Sequence, residues 1–148
     1  MKGAAPYRRY TMDDLRQLAE LEQQALEYYK DGDYSGVVCM LVKAFEGSGL
    51  CTTIVPRDKS YEVYVAASPG RTEQAVVRST PSTSSAVVRL IGDPPIVVRV
   101  YKVGGLQRTF DALVGSNIPT YHVSIGSELV GQPCTITAAV ATVQACFE

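Results

Sequence analysis

The feature that most constrains this chain is a tetrapeptide, apolar-Val-Val-Arg, that occurs three times in one short stretch, at 75–78, 86–89 and 96–99. The copies start 11 and then 10 residues apart, a spacing typical of short strands separated by turns. Ser, Thr, Gly and Pro residues dominate the intervals 79–85 and 92–95, and such stretches favour turns. The repeat therefore predicts three successive strands, each with one charged position.

From Leu50 onward the hydrophobic residues follow a period of two, which is the period of a strand with one buried face. Pro and Gly residues separate the candidate strands. These are Cys51–Val55, Tyr61–Ala67, Glu73–Ser79, Ser85–Gly92, Ile96–Val103, Arg108–Val114, Thr120–Ile125 and Thr135–Phe147. Eight short strands without intervening helices predict a mainly β fold, an antiparallel β-sandwich of the jelly-roll type, over residues 50–148.

The N-terminal part, residues 1–49, is predicted to be a two-helix annex. Thr11 can cap a helix with Asp14 three residues on, and apolar residues at three-four spacing follow as far as Gly32, which can adopt the left-handed stop. This predicts a helix over 12–30. The apolar run after Asp33 has the length of a second helix, although its paired β-branched residues leave a strand possible. A single helical pair cannot bury its own face, so it must pack on something else.

Charge limits the partners that this chain can bind. It carries 14 Lys and Arg against 15 Asp and Glu, a net charge of −1, whereas a nucleic-acid-binding protein normally has a large basic excess. Contact with RNA or DNA is therefore expected to be weak and local. The residues that could provide it are Lys2, Arg8, Arg9, Arg78, Arg89 and Arg99.

If the three repeat strands are neighbours, their arginines lie on one face of the sheet. Arg78, Arg89 and Arg99 would then form a basic strip for phosphate, RNA, a peptide or an acidic partner surface. The alternative is that each is an ordinary solvent-facing arginine that protects a strand against edge pairing.

The helix of residues 11–33 is acidic, with seven acids against two bases. Its acidic face is either solvated or docked on the arginine strip of another copy. Tyrosines crowd the same region, and their amphipathic rings suit contacts between subunits. The predicted subunit contacts are Tyr7, Tyr10, Asp13, Glu20 and Glu27.

Catalytic signals are weak. The single histidine, His122, could be paired with Cys134 or Cys39 as a nucleophile, but no flanking motif supports this. The four cysteines have spacings of 12, 83 and 12, which match no zinc pattern and favour buried free thiols. We predict no enzymatic activity, no cofactor and no metal, and we expect no membrane span because no apolar run is long enough.

The predicted strands, the proline-rich loops and the apolar end Val143–Glu148 resemble the small jelly-roll coat proteins of viruses, in particular of satellite plant viruses, and also phage β-sandwich structural proteins. Those coats usually begin with a long basic arm, whereas in this sequence only Lys2, Arg8 and Arg9 precede the acidic helix. The resemblance implies a self-assembling shell subunit (capsid, decoration or connector) that is cytoplasmic where synthesised and part of a virion if viral. The alternative is a small adaptor that binds an acidic partner or peptide through the arginine-lined face.

Overall fold

The computed structural model describes residues 10–68, 94–115 and 117–147. Within these ranges the protein is 47% helical and 24% strand, with four helices and one five-stranded antiparallel sheet. The helices are α1 (Met12–Lys30), α2 (Tyr34–Gly47), α3 (Gly105–Leu113) and α4 (Ile136–Cys146), and the strands are β1 (Cys51–Pro56), β2 (Ser60–Ala66), β3 (Ile96–Tyr101), β4 (His122–Ile125) and β5 (Glu128–Leu129).

The predicted mainly β, eight-stranded sandwich is therefore wrong. Four of its strands are confirmed as β1 to β4. The predicted strands at 108–114 and 135–147 are instead helices, α3 and α4. The predicted strands at 73–79 and 85–92 lie outside the described residues.

The strand prediction for the segment that forms α4 came from a period of two, in which Thr135, Thr137, Ala139 and Ala141 alternate with the residues between them. The buried residues of α4, Ile136, Ala139, Val140 and Val143, follow the i, i+3, i+4, i+7 spacing of a helix face. Thr135 caps this helix, since its hydroxyl accepts a hydrogen bond from the backbone N–H of Ala138 at 3.2 Å. The chain from 136 to 146 is therefore helical and shorter than the extended segment that was predicted.

All four cysteines are free, as predicted, but none of them is fully buried: Cys39 is exposed and the other three are partly buried.

The predicted signals at the ends of α1 are confirmed. Thr11 and Asp14 form a capping box with two hydrogen bonds of 3.1 Å. After α1, Gly32 adopts a left-handed conformation with φ of 73°, which glycine reaches without the clash that a side chain would cause. The next helix, α2, begins with Asp33 accepting a hydrogen bond from the Gly36 N–H at 3.0 Å. The strand alternative for this segment is excluded.

The sheet has the order β1-β2-β3-β4-β5, and every neighbouring pair is antiparallel. One face carries the apolar residues of the main core, such as Val63, Val98 and Val123, which join α1, α2 and α4 in one hydrophobic cluster. Both edges of β3, the third copy of the repeat, are occupied by β2 and β4. The predicted side-by-side pairing of repeat strands therefore does not hold for β3.

Candidate functional site

Helix α3 presents its apolar side outward. Leu106, Phe110, Leu113 and Val114, which we call the α3 stripe, are 88%, 57%, 82% and 59% exposed. The first three are spaced i, i+4 and i+7, so they lie on one side of the helix. None of the nine residues of α3, all of them described, is buried. An amphipathic helix normally turns this side toward the core, so the stripe is the reverse of the usual arrangement.

The charged side of α3 faces the body of the protein. The Arg108 guanidinium lies against Gly32, so that a Cβ built on that glycine would stand 2.9 Å from Nη2. Arg108 Nη1 also donates to the Lys30 carbonyl at 3.5 Å. Burial raises the pKa of Tyr29, and Tyr34 and Asp111 raise it further while Arg108 opposes them. The charges of α3 are therefore close to the end of α1.

The segment that leads into α3 is anchored to α2 by one tyrosine. The Tyr34 hydroxyl donates to the Val103 carbonyl and accepts from the Val103 N–H, both at 2.9 Å. The Tyr34 ring packs edge-on against Tyr29 at 5.7 Å between ring centroids. These contacts hold the start of α3 in place and leave the stripe facing solvent.

Uncharged residues flank the stripe. Gln107 Nε2 donates to Asp111 Oδ1 at 2.8 Å, and the Thr109 hydroxyl donates to the Gly105 carbonyl at 2.9 Å. The rim of the stripe therefore has neither the cations that favour an anionic surface nor a charge that repels a second copy.

A polar cluster lies on the second face of the sheet, around Glu62. This carboxylate is 8% exposed and accepts hydrogen bonds from Arg57 Nε at 2.9 Å, Arg99 Nε at 3.0 Å and the Tyr64 hydroxyl at 3.0 Å. Arg99 Nη1 also donates to the Ser124 hydroxyl at 2.8 Å. The cluster links β2, β3 and β4.

Two opposing effects act on the pKa of Glu62. Burial is the largest single effect and opposes ionisation, but hydrogen bonds from Arg57, Tyr64 and Arg99 together hold the pKa below its ordinary value. Glu62 is therefore ionised at neutral pH and neutralises part of the positive charge of the two arginines.

Of the predicted arginine strip, the described residues include Arg99 alone. Its ion pair with Glu62 and its hydrogen bond to Ser124 assign it a role in holding the sheet together. The other predicted contact residues, Lys2, Tyr7, Arg8, Arg9, Arg78 and Arg89, lie outside the described residues.

The structure separates His122 from the cysteines considered as its partners. His122 is paired with Arg99 across β3 and β4 and so shares the second sheet face, where it packs edge-on against Tyr101 at 4.8 Å. Cys134 packs against the main core on the other side, and Cys39 lies on α2, which covers that side. Burial lowers the pKa of His122 and raises that of Cys134, which favours two neutral groups over an activated thiolate.

The predicted subunit contacts on α1 have different surroundings. The Tyr10 hydroxyl donates to Gln144 Oε1 on α4, so it takes part in an internal contact. Asp13 is exposed and pairs with Arg16 at 3.1 Å. Glu20 is also exposed, as is Glu27, whose carboxylate accepts from Gln23 Nε2 at 3.1 Å. A subunit contact through these acids stays a prediction.

Comparison with known proteins adds no relative: no family model, no curated protein and no solved structure matches the chain. Among the described residues, none of the helices combines the length and hydrophobicity that crossing a bilayer requires. Over the same residues, no three His, Cys, Asp or Glu side chains are grouped as a metal site. The α3 stripe is thus the described surface that most directly suggests an interaction.

The α3 stripe was not predicted from the sequence, because residues 108–114 were interpreted as a strand. The i, i+4, i+7 spacing of Leu106, Phe110 and Leu113 was a signal that could have identified the helix. It would not have shown that this apolar side faces outward.

Proposed function

We propose that this protein is a non-enzymatic assembly protein whose copies associate through the α3 stripe. The observation that carries the proposal is the outward direction of the apolar side of α3, with Leu106 88% and Leu113 82% exposed. Together with Phe110 and Val114 they form an exposed apolar patch, and the largest such patches on monomeric proteins, of about 300–600 Å², are often functional.

A second copy of the chain is the partner that the chemistry of the stripe fits best. In an antiparallel two-fold pair, each stripe packs on the same stripe of the other copy. Arg108 and Asp111 lie on the opposite side of the helix, and Gln107 and Thr109 at the rim are uncharged. No like charges are therefore brought together by the pairing.

The size of the stripe predicts a weak contact. Stable interfaces usually bury about 800 Å² per partner, which is more than one short helix offers. A two-fold pair also uses the stripe completely, so a multi-copy viral or phage shell requires a second contact. The exposed acids Asp13, Glu20 and Glu27 of α1 are the surface that we assign to it.

Sedimentation velocity over a range of protein concentrations tests the proposal. We expect the wild type to shift from monomer to dimer or larger species as its concentration rises. The double variant Leu106→Gln, Phe110→Gln keeps helix-favouring residues but removes the apolar side, so we expect it to stay monomeric.

Two variants provide matched controls, because they remove exposed apolar residues outside α3. Met12 is 74% and Leu129 is 66% exposed, and we expect Met12→Gln and Leu129→Thr to associate like the wild type. A wild type that stays monomeric at the highest concentration, or a double variant that associates normally, would contradict the proposal.

A further inference from the structure

A cavity of about 220 Å³ lies between α1 and the segment that enters β4. Apolar side chains supply much of its described lining, on α1 and on the segment before β4. The described lining residues are Ala19, Glu22, Gln23, Leu26, Ile118, Pro119, Tyr121 and Thr135. The cavity is open to solvent on the side of Ile118, which is 55% exposed. Its volume nevertheless exceeds the roughly 150 Å³ of an enclosed cavity that holds benzene, so it has room for a molecule built on a single ring.

Tyr121 is the fully buried member of this lining. It is 2% exposed, and its hydroxyl is buried with no hydrogen-bond partner among the described residues. Buried polar groups in proteins are nearly always bonded to protein, water or a ligand. An unpaired hydroxyl beside an apolar cavity therefore points to a group that enters the cavity and accepts a hydrogen bond.

The Tyr121 backbone is held by two hydrogen bonds to the backbone of Cys134. Its N–H donates to the Cys134 carbonyl and its carbonyl accepts from the Cys134 N–H, both at 2.9 Å. Burial raises the pKa of Tyr121, and Glu22 and Cys134 raise it further. The hydroxyl is thus protonated at neutral pH and can donate, and it lies within electrostatic reach of a carboxylate that lines the same cavity.

Glu22 determines which ligands are disfavoured. Its Oε2 accepts a hydrogen bond from the Thr137 hydroxyl at 3.0 Å, which holds the carboxylate between α1 and α4. A negative charge at this position repels anions.

A second cavity, of about 360 Å³, is larger but less informative. It lies near the start of α1 and the ends of α2 and α4, and polar groups in its lining already bond to one another. The Tyr10 hydroxyl donates to Gln144, and Gln144 Nε2 donates to the Ser48 carbonyl at 3.2 Å.

We propose that the cavity beside Tyr121 binds a small uncharged molecule with an apolar, ring-sized body and one oxygen atom, an alcohol or a ketone, which accepts the hydrogen bond of the Tyr121 hydroxyl. Ala19, Leu26, Ile118 and Pro119 line the space that the apolar body would occupy.

An NMR titration of the full chain with three probes of similar size tests the proposal. Benzyl alcohol has the predicted oxygen, toluene lacks it and benzoate carries a negative charge. We expect benzyl alcohol to shift the amide signals of residues 19–26 and 118–122 and to bind about threefold to tenfold more tightly than toluene, which is the range that one neutral hydrogen bond supplies. Benzoate is expected to bind most weakly because of Glu22.

The variant Tyr121→Phe removes the hydroxyl and keeps the ring. We expect the preference for benzyl alcohol over toluene to fall to about one, with toluene binding retained. Equal affinities of the two probes in the wild type, or an unchanged preference in the variant, would overturn the role of Tyr121. No shift with benzyl alcohol up to about 10 mM, where a Kd near 1 mM is detectable, would mean that water alone fills the cavity.

A variant at the mouth of the cavity keeps the proposal testable if Tyr121→Phe fails to fold. Ala19 is exposed on α1 and lines the cavity, so Ala19→Trp should block entry and abolish the shifts. Gln24 is an exposed neighbour on the same helix that is not among the lining residues. Gln24→Trp is therefore the matched control and should bind benzyl alcohol normally. Binding that persists in Ala19→Trp would place the probe elsewhere.

Discussion

Helices α1 and α3 are both amphipathic, but they bury opposite sides. The first turns Leu18, Ala25 and Tyr29 toward the main core and its acids toward solvent. The second turns Arg108 toward the body and the α3 stripe toward solvent. Hydrophobic periodicity therefore shows that a helix has an apolar side, but the rest of the fold decides whether that side is already covered.

The difference has a local cause at the start of each helix. A capping box with two reciprocal hydrogen bonds stabilises the first turn of α1. The N-cap residue of α3 is Gly104, which has no side chain that could accept a hydrogen bond from the first turn. Helix α3 also packs sparsely on the other described elements. Its stability in the isolated chain should accordingly be lower than that of α1.

The strongest test of the comparison uses one leucine on each helix. Leu18 is 6% and Leu106 is 88% exposed. We expect Leu18→Ala to lower the free energy of unfolding by about 2–4 kcal/mol because it leaves a cavity in the core, and Leu106→Ala to change it by less than about 0.5 kcal/mol. Urea unfolding of dilute protein measures both. Equal losses would show that the α3 stripe is buried within a single chain.

Charged residues provide the next test. Replacement of a buried carboxylate should lower the free energy of unfolding more than replacement of an exposed one, as for the two leucines. We expect Glu62→Gln to cost about 2–3 kcal/mol at pH 7, since it leaves Arg99 without its anionic partner. Glu20→Gln, on the solvent side of α1, should cost less than about 0.5 kcal/mol. Urea unfolding of the two variants gives the comparison.

The pH dependence of this stabilisation follows from the sign of the Glu62 pKa shift. Because its pKa in the folded protein lies below the ordinary value, the stabilisation is fully present above the unfolded pKa of about 4.3. It is lost as the pH falls through the lower, folded pKa. The difference between wild type and Glu62→Gln should therefore shrink below about pH 4. A difference that stays constant down to pH 2 would contradict the role of ionised Glu62.

Removal of the α1 cap should have a smaller effect. Thr11→Ala deletes the hydroxyl that accepts from the Asp14 N–H at 3.1 Å, and we expect a loss of about 1 kcal/mol. Thermal unfolding followed by circular dichroism measures it. Thr11→Ser is the control, because serine caps as well as threonine; a similar loss in both variants would indicate a cause other than the cap.

Addition of a cap to α3 should produce the smallest effect. Gly104 has φ of −63° and ψ of 154°, an extended conformation open to any residue, and a Cβ added there meets no atom within 4 Å among the described residues. We expect Gly104→Asp to stabilise α3 by about 0.3–0.5 kcal/mol, seen as slower hydrogen exchange of the α3 amides. Gly104→Ala lacks the acceptor and should give less protection; equal protection in both would attribute the gain to the loss of glycine.

Local signals were enough to predict α1, α2 and four strands. Thr11, Asp14 and Gly32 identify the ends of α1 through contacts between residues close in sequence. The failures at α3 and α4 have a different origin. In α4, Thr and Val favour a strand while Ala favours a helix, so local preference does not decide between the two. The helix is stabilised by burial of Ile136, Ala139 and Val140 against α1 and α2.

The candidate sites were harder to predict, since each depends on residues far apart in the chain. Glu62 meets Arg99 across 37 positions, and the partnership depends on the register of β2 and β3. Nothing in the order of residues shows that the Tyr121 hydroxyl has no partner among the described residues.

By itself, the sequence determined the ends of α1, the start of α2 and the positions of β1 to β4, because caps, a left-handed glycine and hydrophobic periodicity act within a few residues. The tertiary structure alone decided that the apolar side of α3 faces outward, that Arg99 is neutralised by Glu62 and that Tyr121 lines a cavity. These properties depend on which distant surfaces pack together, and the same local pattern is compatible with a buried side or with an exposed one.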